Sequence, residues 1–159
     1  MTAPAPAGFP LPLRRFVARF DRREYWLAHE ELEDLWQRDR RDFFKGMIQI
    51  AAAHVHIERR NWRGARRLLR TGLEHIEGVS AHYQGFDVDA VRARATAALQ
   101  RVAELAEQDA GEYDDRLFFE LAPLFEGDVS PDLVEDEPLP YRVRRYEEGY
   151  RPVGRKKRN

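Results

Sequence analysis

The sequence predicts an all-α protein: a small bundle of four to five main helices with an irregular C-terminal extension. Two observations predict it. Apolar residues recur three and four positions apart through four long segments, which puts them on one face of a helix each. No stretch alternates apolar and polar residues over a useful strand length, and turn or capping residues separate the four segments.

The elements follow in order. The leader MTAPAPAGFPLPL is broken by prolines and lacks a basic start before an apolar run, so residues 1–12 read as a disordered leader and not a signal peptide. A short helix over LRRFVARF sets Phe16 and Phe20 four apart. In FDRREYWLAHEELEDLWQRD, Asp21 followed by Glu24 predicts a capping-box start, and Tyr25, Ala28, His29, Leu32, Leu35 and Trp36 trace the apolar face. The next helix starts near Arg41 or Asp42 and runs to about residue 60. Its wide apolar stripe and its small residues (Gly46 and Ala51 to Ala53) predict a central helix closely approached by its neighbours. Asn61 is the expected N-cap of WRGARRLLRTGLEHIE, whose inner face is Trp62, Ala65, Leu69, Gly72, Leu73 and Ile76. After the loop GVSAHYQGF, Asp87 or Asp89 caps a last helix buried along Val91, Ala95, Ala98, Leu99, Val102 and Leu105. LFFELAPLF then forms a short helix or a hydrophobic latch, limited by Pro123.

These readings divide the chain into leader 1–12, helical domain 13–107, acidic and partly ordered extension 108–140, and basic tail 141–159. Charge separates along the same lines. Residues 1–100 sum to +4, residues 102–137 to −12 and residues 141–159 to +6, although the whole chain is −1. The expected use of the basic tail is neutralisation of the acidic stretch, in its own chain or in a second copy. A homo-oligomer is therefore the expected partner, and nucleic acid held through the tail a less favoured one. No apolar stretch reaches membrane-span length, and the expected location is the cytoplasm. With no cysteine there is no disulfide and no thiol nucleophile. No glycine-rich phosphate loop or nucleophile elbow is present, so the reading leans against an enzyme.

One constellation carries chemistry. HEELEDLW places His29, Glu33 and Trp36 at i, i+4 and i+7 of a helix. The following helix holds a second pair four apart, His54 and Glu58. If the two helices form an antiparallel hairpin turning near residue 40, His54 falls opposite Tyr25 or Trp26, and the two histidines are offset by ~5 Å, one helical turn. His29, Glu33, His54 and Glu58 then become candidate ligands of one divalent transition ion: zinc, iron or manganese. The favoured alternative is a buried polar network of His29, Glu33, Trp36 and Gln49 that fixes helix register without chemistry. A pocket for an organic ligand is the third reading.

FDRREYWLAHEELEDLW and FFKGMIQIAAAHVHIERRNWRGARRLL, at this separation, resemble the bacterial and archaeal family called domain of unknown function 309. The family is marked by HxxxExxW, here His29, Glu33 and Trp36. The resemblance covers roughly residues 14–78. It implies a small helical bundle of unestablished activity, with metal binding through the motif as its suggested chemistry. The C-terminal region matches no pattern attached to the family.

Overall fold

A computed structural model of the protein describes residues 8–108 and 114–134. Five helices form where the apolar periodicity places them: α1 (Leu11–Asp21), α2 (Tyr25–Arg38), α3 (Asp42–Glu58), α4 (Trp62–Ile76) and α5 (Val88–Gln108). Turns of three residues join α1 to α2, α2 to α3 and α3 to α4. Links this short leave each helix no choice but to fold back on its predecessor. α3 packs on both α2 and α4, α1 packs on α2, and α5 packs on α4.

Centrality makes α3 apolar nearly all round. Phe43, Phe44, Met47, Ile48, Ile50, Ala51, Ala53, Val55 and Ile57 are all buried. Its close approach to α4 rests on two glycines. A β-carbon at Gly46 would stand 2.8 Å from the Gly72 carbonyl oxygen and 2.5 Å from Ile76 Cγ2. A β-carbon at Gly72 would stand 3.0 Å from the Gly46 oxygen. The two backbones touch because neither residue has a side chain to hold them apart.

Local signals at three helix starts are read correctly from the sequence. The Asn61 side chain accepts from Gly64 N–H at 3.1 Å, Asp87 accepts from Ala90 N–H at 3.0 Å, and α3 starts at Asp42. Asp21 is different. α1 extends through it, and α2 begins after Glu24 with no side-chain cap. α1 also begins earlier than expected, at Leu11 behind Pro10, within the span assigned to the leader. The loop after α4 holds a minimal hairpin, β1 (His82–Tyr83) with β2 (Phe86–Asp87). Gln84 and Gly85 form its turn with φ of 50° and 80°, the left-handed pair that two-residue hairpins favour.

Residues 114–134 form a strap laid back over the helices, with two 3-10 turns at Ala122–Leu124 and Pro131–Leu133. Leu117, Leu121, Phe125 and Val134 are buried. Phe125 packs on Phe86 at 4.6 Å and on Phe9 at 5.2 Å between ring centroids. Asp21 pins the strap. Its carboxylate accepts from the backbone N–H of Leu121 at 2.6 Å and of Ala122 at 2.9 Å. Burial raises the Asp21 pKa, while the two N–H donors pull against that rise. The capping-box reading is thus corrected. The carboxylate serves orphan donors one hundred residues away, because α1 has already consumed the backbone position a cap would need.

Removing that acceptor leaves two partly buried N–H groups without it. Asp21→Ala is expected to cost about 2–3 kcal/mol, the range for hydrogen bonds to a charged group. Amide hydrogen exchange checks this: the Leu121 and Ala122 amides should lose protection while those of α3 keep theirs.

The assigned boundaries at 135–140 and the basic tail 141–159 lie outside the described residues. Among the described residues, no helix is long and apolar enough to cross a membrane.

Candidate functional site

Short turns and the apolar pattern set the register of α2 against α3, and the register expected for His54 holds. Its ring lies 4.8 Å from that of Tyr25 between centroids. The convergence expected from that register does not follow. The His54 ring, fully buried, is enclosed by Phe20 at 5.2 Å, Phe119 at 5.3 Å and Phe118 at 6.3 Å as well as by Tyr25. Nδ1 lies 2.8 Å from the Ile50 carbonyl oxygen and Nε2 lies 2.8 Å from that of Leu117. A neutral imidazole carries one N–H, so it can donate to one of these carbonyls only. Both are served only by the imidazolium. Burial disfavours that charge and lowers the pKa, with the carbonyls and the Arg23 charge acting in opposite senses on the remainder. A carbonyl against each nitrogen leaves no lone pair open to an ion.

His29 stands apart, half-buried on the flank of α2. Nε2 is 3.3 Å from Glu33 Oε2, and Nδ1 is 3.6 Å from Glu30 Oε1. The ring stacks on Trp26 at 5.1 Å with 20° between planes. Trp36 does not join it. Helical side chains lean toward the N-terminus, so His29 meets the residue three before it, while Trp36 lies about 10 Å further along the axis. The Trp36 ring instead carries the Arg40 guanidinium at 4.3 Å and the Lys45 ammonium at 4.5 Å.

Gln49 also departs from the expected network. It faces α4 beside Gly72, where a β-carbon would lie 3.4 Å from Gln49 Cβ. Its buried Oε1 has no hydrogen-bond partner among the described residues. Glu58 is exposed at the end of α3, on a cleft of about 320 Å³ shared with Arg23, Tyr25, Trp26, Val55 and Arg59. Partial burial raises its carboxyl pKa against the opposing pull of Arg23 and Arg59. His56, on the last turn of α3, is half-buried, with Nδ1 2.9 Å from Asn61 Nδ2.

The four-ligand set His29, Glu33, His54 and Glu58 is therefore corrected by geometry. The structure brings together His29 and Glu33, adds Glu30, and commits His54 to the strap. One candidate ligand atom each from His29, Glu30 and Glu33 lie within 4.8 Å of one another. Glu30 was legible only as the neighbour of the motif histidine, on a face the helical period assigns to solvent. Arg19 was missed as well. It is buried on α1 and pairs with Glu31 of α2 at 3.1 Å and with Glu24, in the turn before α2, at 3.8 Å. Its signal was a place on the Phe16–Phe20 face, which the sequence reading gave to apolar residues alone.

Comparison with known proteins places the same region. The uncharacterized protein YpuF of Bacillus subtilis (strain 168) is 36% identical over 59 residues, covering 35% of this chain and 34% of that protein. The match thus spans about a third of that relative. Residues 13–68, from α1 into α4, match the family model Domain of unknown function (DUF309). The segment that holds the His29–Glu33 pair and His54 is thus the part of the chain that is similar to the DUF309 family.

Proposed function

We propose that the protein is a non-catalytic interaction module, acting in the cytoplasm, whose histidines hold its own helices and strap in place. The observation that carries this reading is His54. It is the fully buried histidine of the core, and its two nitrogens are occupied by the chain's own carbonyls. The motif pair His29–Glu33 sits partly in water at a loose 3.3 Å and, on this reading, ties one turn of α2 to the next. The segregated charge supplies the adhesive surfaces, with a second copy of the chain as the first partner to test.

A second reading has its own observation. His29 Nδ1 is buried without a hydrogen-bond partner, and His29, Glu30 and Glu33 offer one nitrogen and two oxygens to a divalent ion such as zinc, iron or manganese. An ion there would act as a Lewis acid. Against it, the two carboxylates approach opposite nitrogens of one ring, and a ring gives a single ion only one of them.

Elemental analysis of protein purified without a histidine tag separates the two. The interaction reading expects less than about a tenth of an equivalent of any transition metal, before and after reconstitution. It also expects His29→Ala to lower thermal stability by about 1 kcal/mol or less, since the pair is partly solvated. A stoichiometric metal that disappears in His29→Ala would replace it with the metal reading. Sedimentation of the full chain then tests self-association. A strict monomer at every accessible concentration would remove the second copy as partner.

A further inference from the structure

The outer face of α4 carries charge that no ion pair among the described residues uses. Arg63, Arg66, Arg67 and Arg70 occupy i, i+3, i+4 and i+7, one stripe, and all four are exposed. Elsewhere on the surface arginines meet carboxylates, as Arg14 meets Asp128 at 3.0 Å, Arg92 meets Asp89 at 2.6 Å and Arg101 meets Asp114 at 2.6 Å. The four of the stripe form no ion pair among the described residues. No acidic residue occurs between Glu58 and Glu74, so nothing on α4 before its last turns offsets them. Their field is felt nearby: Arg67, with Arg59, is among the influences that lower the His56 pKa, after burial.

We infer that this α4 face is a docking surface for the phosphodiester backbone of duplex nucleic acid. The residue type fits, because a guanidinium donates two parallel bonds to a phosphate and stays charged. So does the length. Arg63 to Arg70 span ~10 Å along the helix, about three nucleotides of one strand at ~3.4 Å each. What the face lacks decides among anions. A protein partner needs buried apolar or aromatic anchors at the centre of its interface. Here Leu68 and Leu73 turn partly inward and Trp62 is buried, and the large apolar residue exposed among the described residues is Leu11, on α1. A single strand needs aromatic platforms on which bases stack, and the stripe offers none. Recognition is of the backbone alone, independent of sequence.

The test is fluorescence anisotropy with a labelled 20-base-pair DNA duplex, titrated with the full chain from 50 to 200 mM salt. Four neutralised phosphates give a log–log slope of about −3.6, a loss of roughly 100-fold across that range. The variant Arg66→Gln with Arg70→Gln should lower the slope by about two and weaken binding at least tenfold at 50 mM, with its melting temperature unchanged. Arg94→Gln, an exposed arginine on α5, should leave both unchanged. Absence of duplex binding by the full chain at 50 mM salt overturns the inference. Binding that survives in the double variant also overturns it and assigns the affinity to basic residues elsewhere, such as 141–159. Equal or tighter binding of polyglutamate or of a single-stranded oligonucleotide overturns the choice of partner. A monomeric result in the sedimentation test above leaves this surface untouched, so the two readings fail separately.

Discussion

Gly46→Val is expected to be the most damaging single substitution in the bundle, lowering stability by about 3 kcal/mol or more. A β-carbon there meets Ile76 Cγ2 at 2.5 Å and the Gly72 carbonyl oxygen at 2.8 Å. The isoleucine methyl can shift, but the carbonyl belongs to the α4 backbone and moves only with the whole helix. Overpacking of a tight core costs typically 1–3 kcal/mol, and the two γ-carbons of valine add to a clash the β-carbon has already made. Alanine at the same position is milder. It gains about 1 kcal/mol of helix propensity over glycine, which offsets part of the clash. Chemical denaturation of the three proteins should therefore rank glycine, alanine and valine in falling order. Gly78→Ala is the control, since a β-carbon there meets nothing within 4 Å. If Gly46→Val melts with the wild type, the α3–α4 contact is not the close crossing described here.

His54→Ala is the second large effect, at about 3–4 kcal/mol. It opens a cavity among Phe20, Tyr25, Phe118 and Phe119, and it removes the one N–H that the neutral ring gives to either the Ile50 or the Leu117 carbonyl. The cavity and the orphaned acceptor each cost about 1–3 kcal/mol. His54→Leu separates the two by refilling most of the space, so it should recover roughly half of the loss. The same residue gives the fold a pH dependence whose sign is fixed. Its folded pKa lies below the ordinary 6.5, so below that pH the unfolded chain takes up a proton that the native core refuses. Stability from this residue is fully present above about pH 6.5 and is lost as the pH falls from there toward the depressed folded value. Thermal melts at pH 7.5 and 5.5 check it. Wild type should lose more stability between the two than His54→Leu does. Equal losses would mean that His54 is not the proton-linked group. Tyr25, Arg23, Asp21 and Glu58 surround the site, and all four remain in both proteins.

The apolar period made the helices legible, and the caps Asn61 and Asp87 were legible because a side chain reaching three residues along its own chain is a local event. Gly46 could be read as a point of close approach, since a glycine in the middle of a long apolar helix costs stability unless another backbone uses the space. The site was less legible. Spacing put His29 and Trp36 on a common stripe, yet side-chain lean sent His29 to Trp26 and left Trp36 to Arg40 and Lys45. Gln49 interrupts an apolar run in either reading, and periodicity alone did not say that its neighbour would be α4.

By itself the sequence determined what depends on neighbours a few residues apart: four to five helices, their short turns, the apolar face of each, and the HxxxExxW spacing on α2. Tertiary structure decided where the long-range partners fall. It took Asp21 from a capping role to the Leu121 and Ala122 amides, and it carried Leu117 across sixty-three residues to His54. Those choices belong to the strap, whose course is fixed by burial of Leu117, Leu121 and Phe125 on a surface that exists only after the helices have packed. A chain segment without its own periodicity takes its conformation from the surface it covers, and that surface is written across several helices at once.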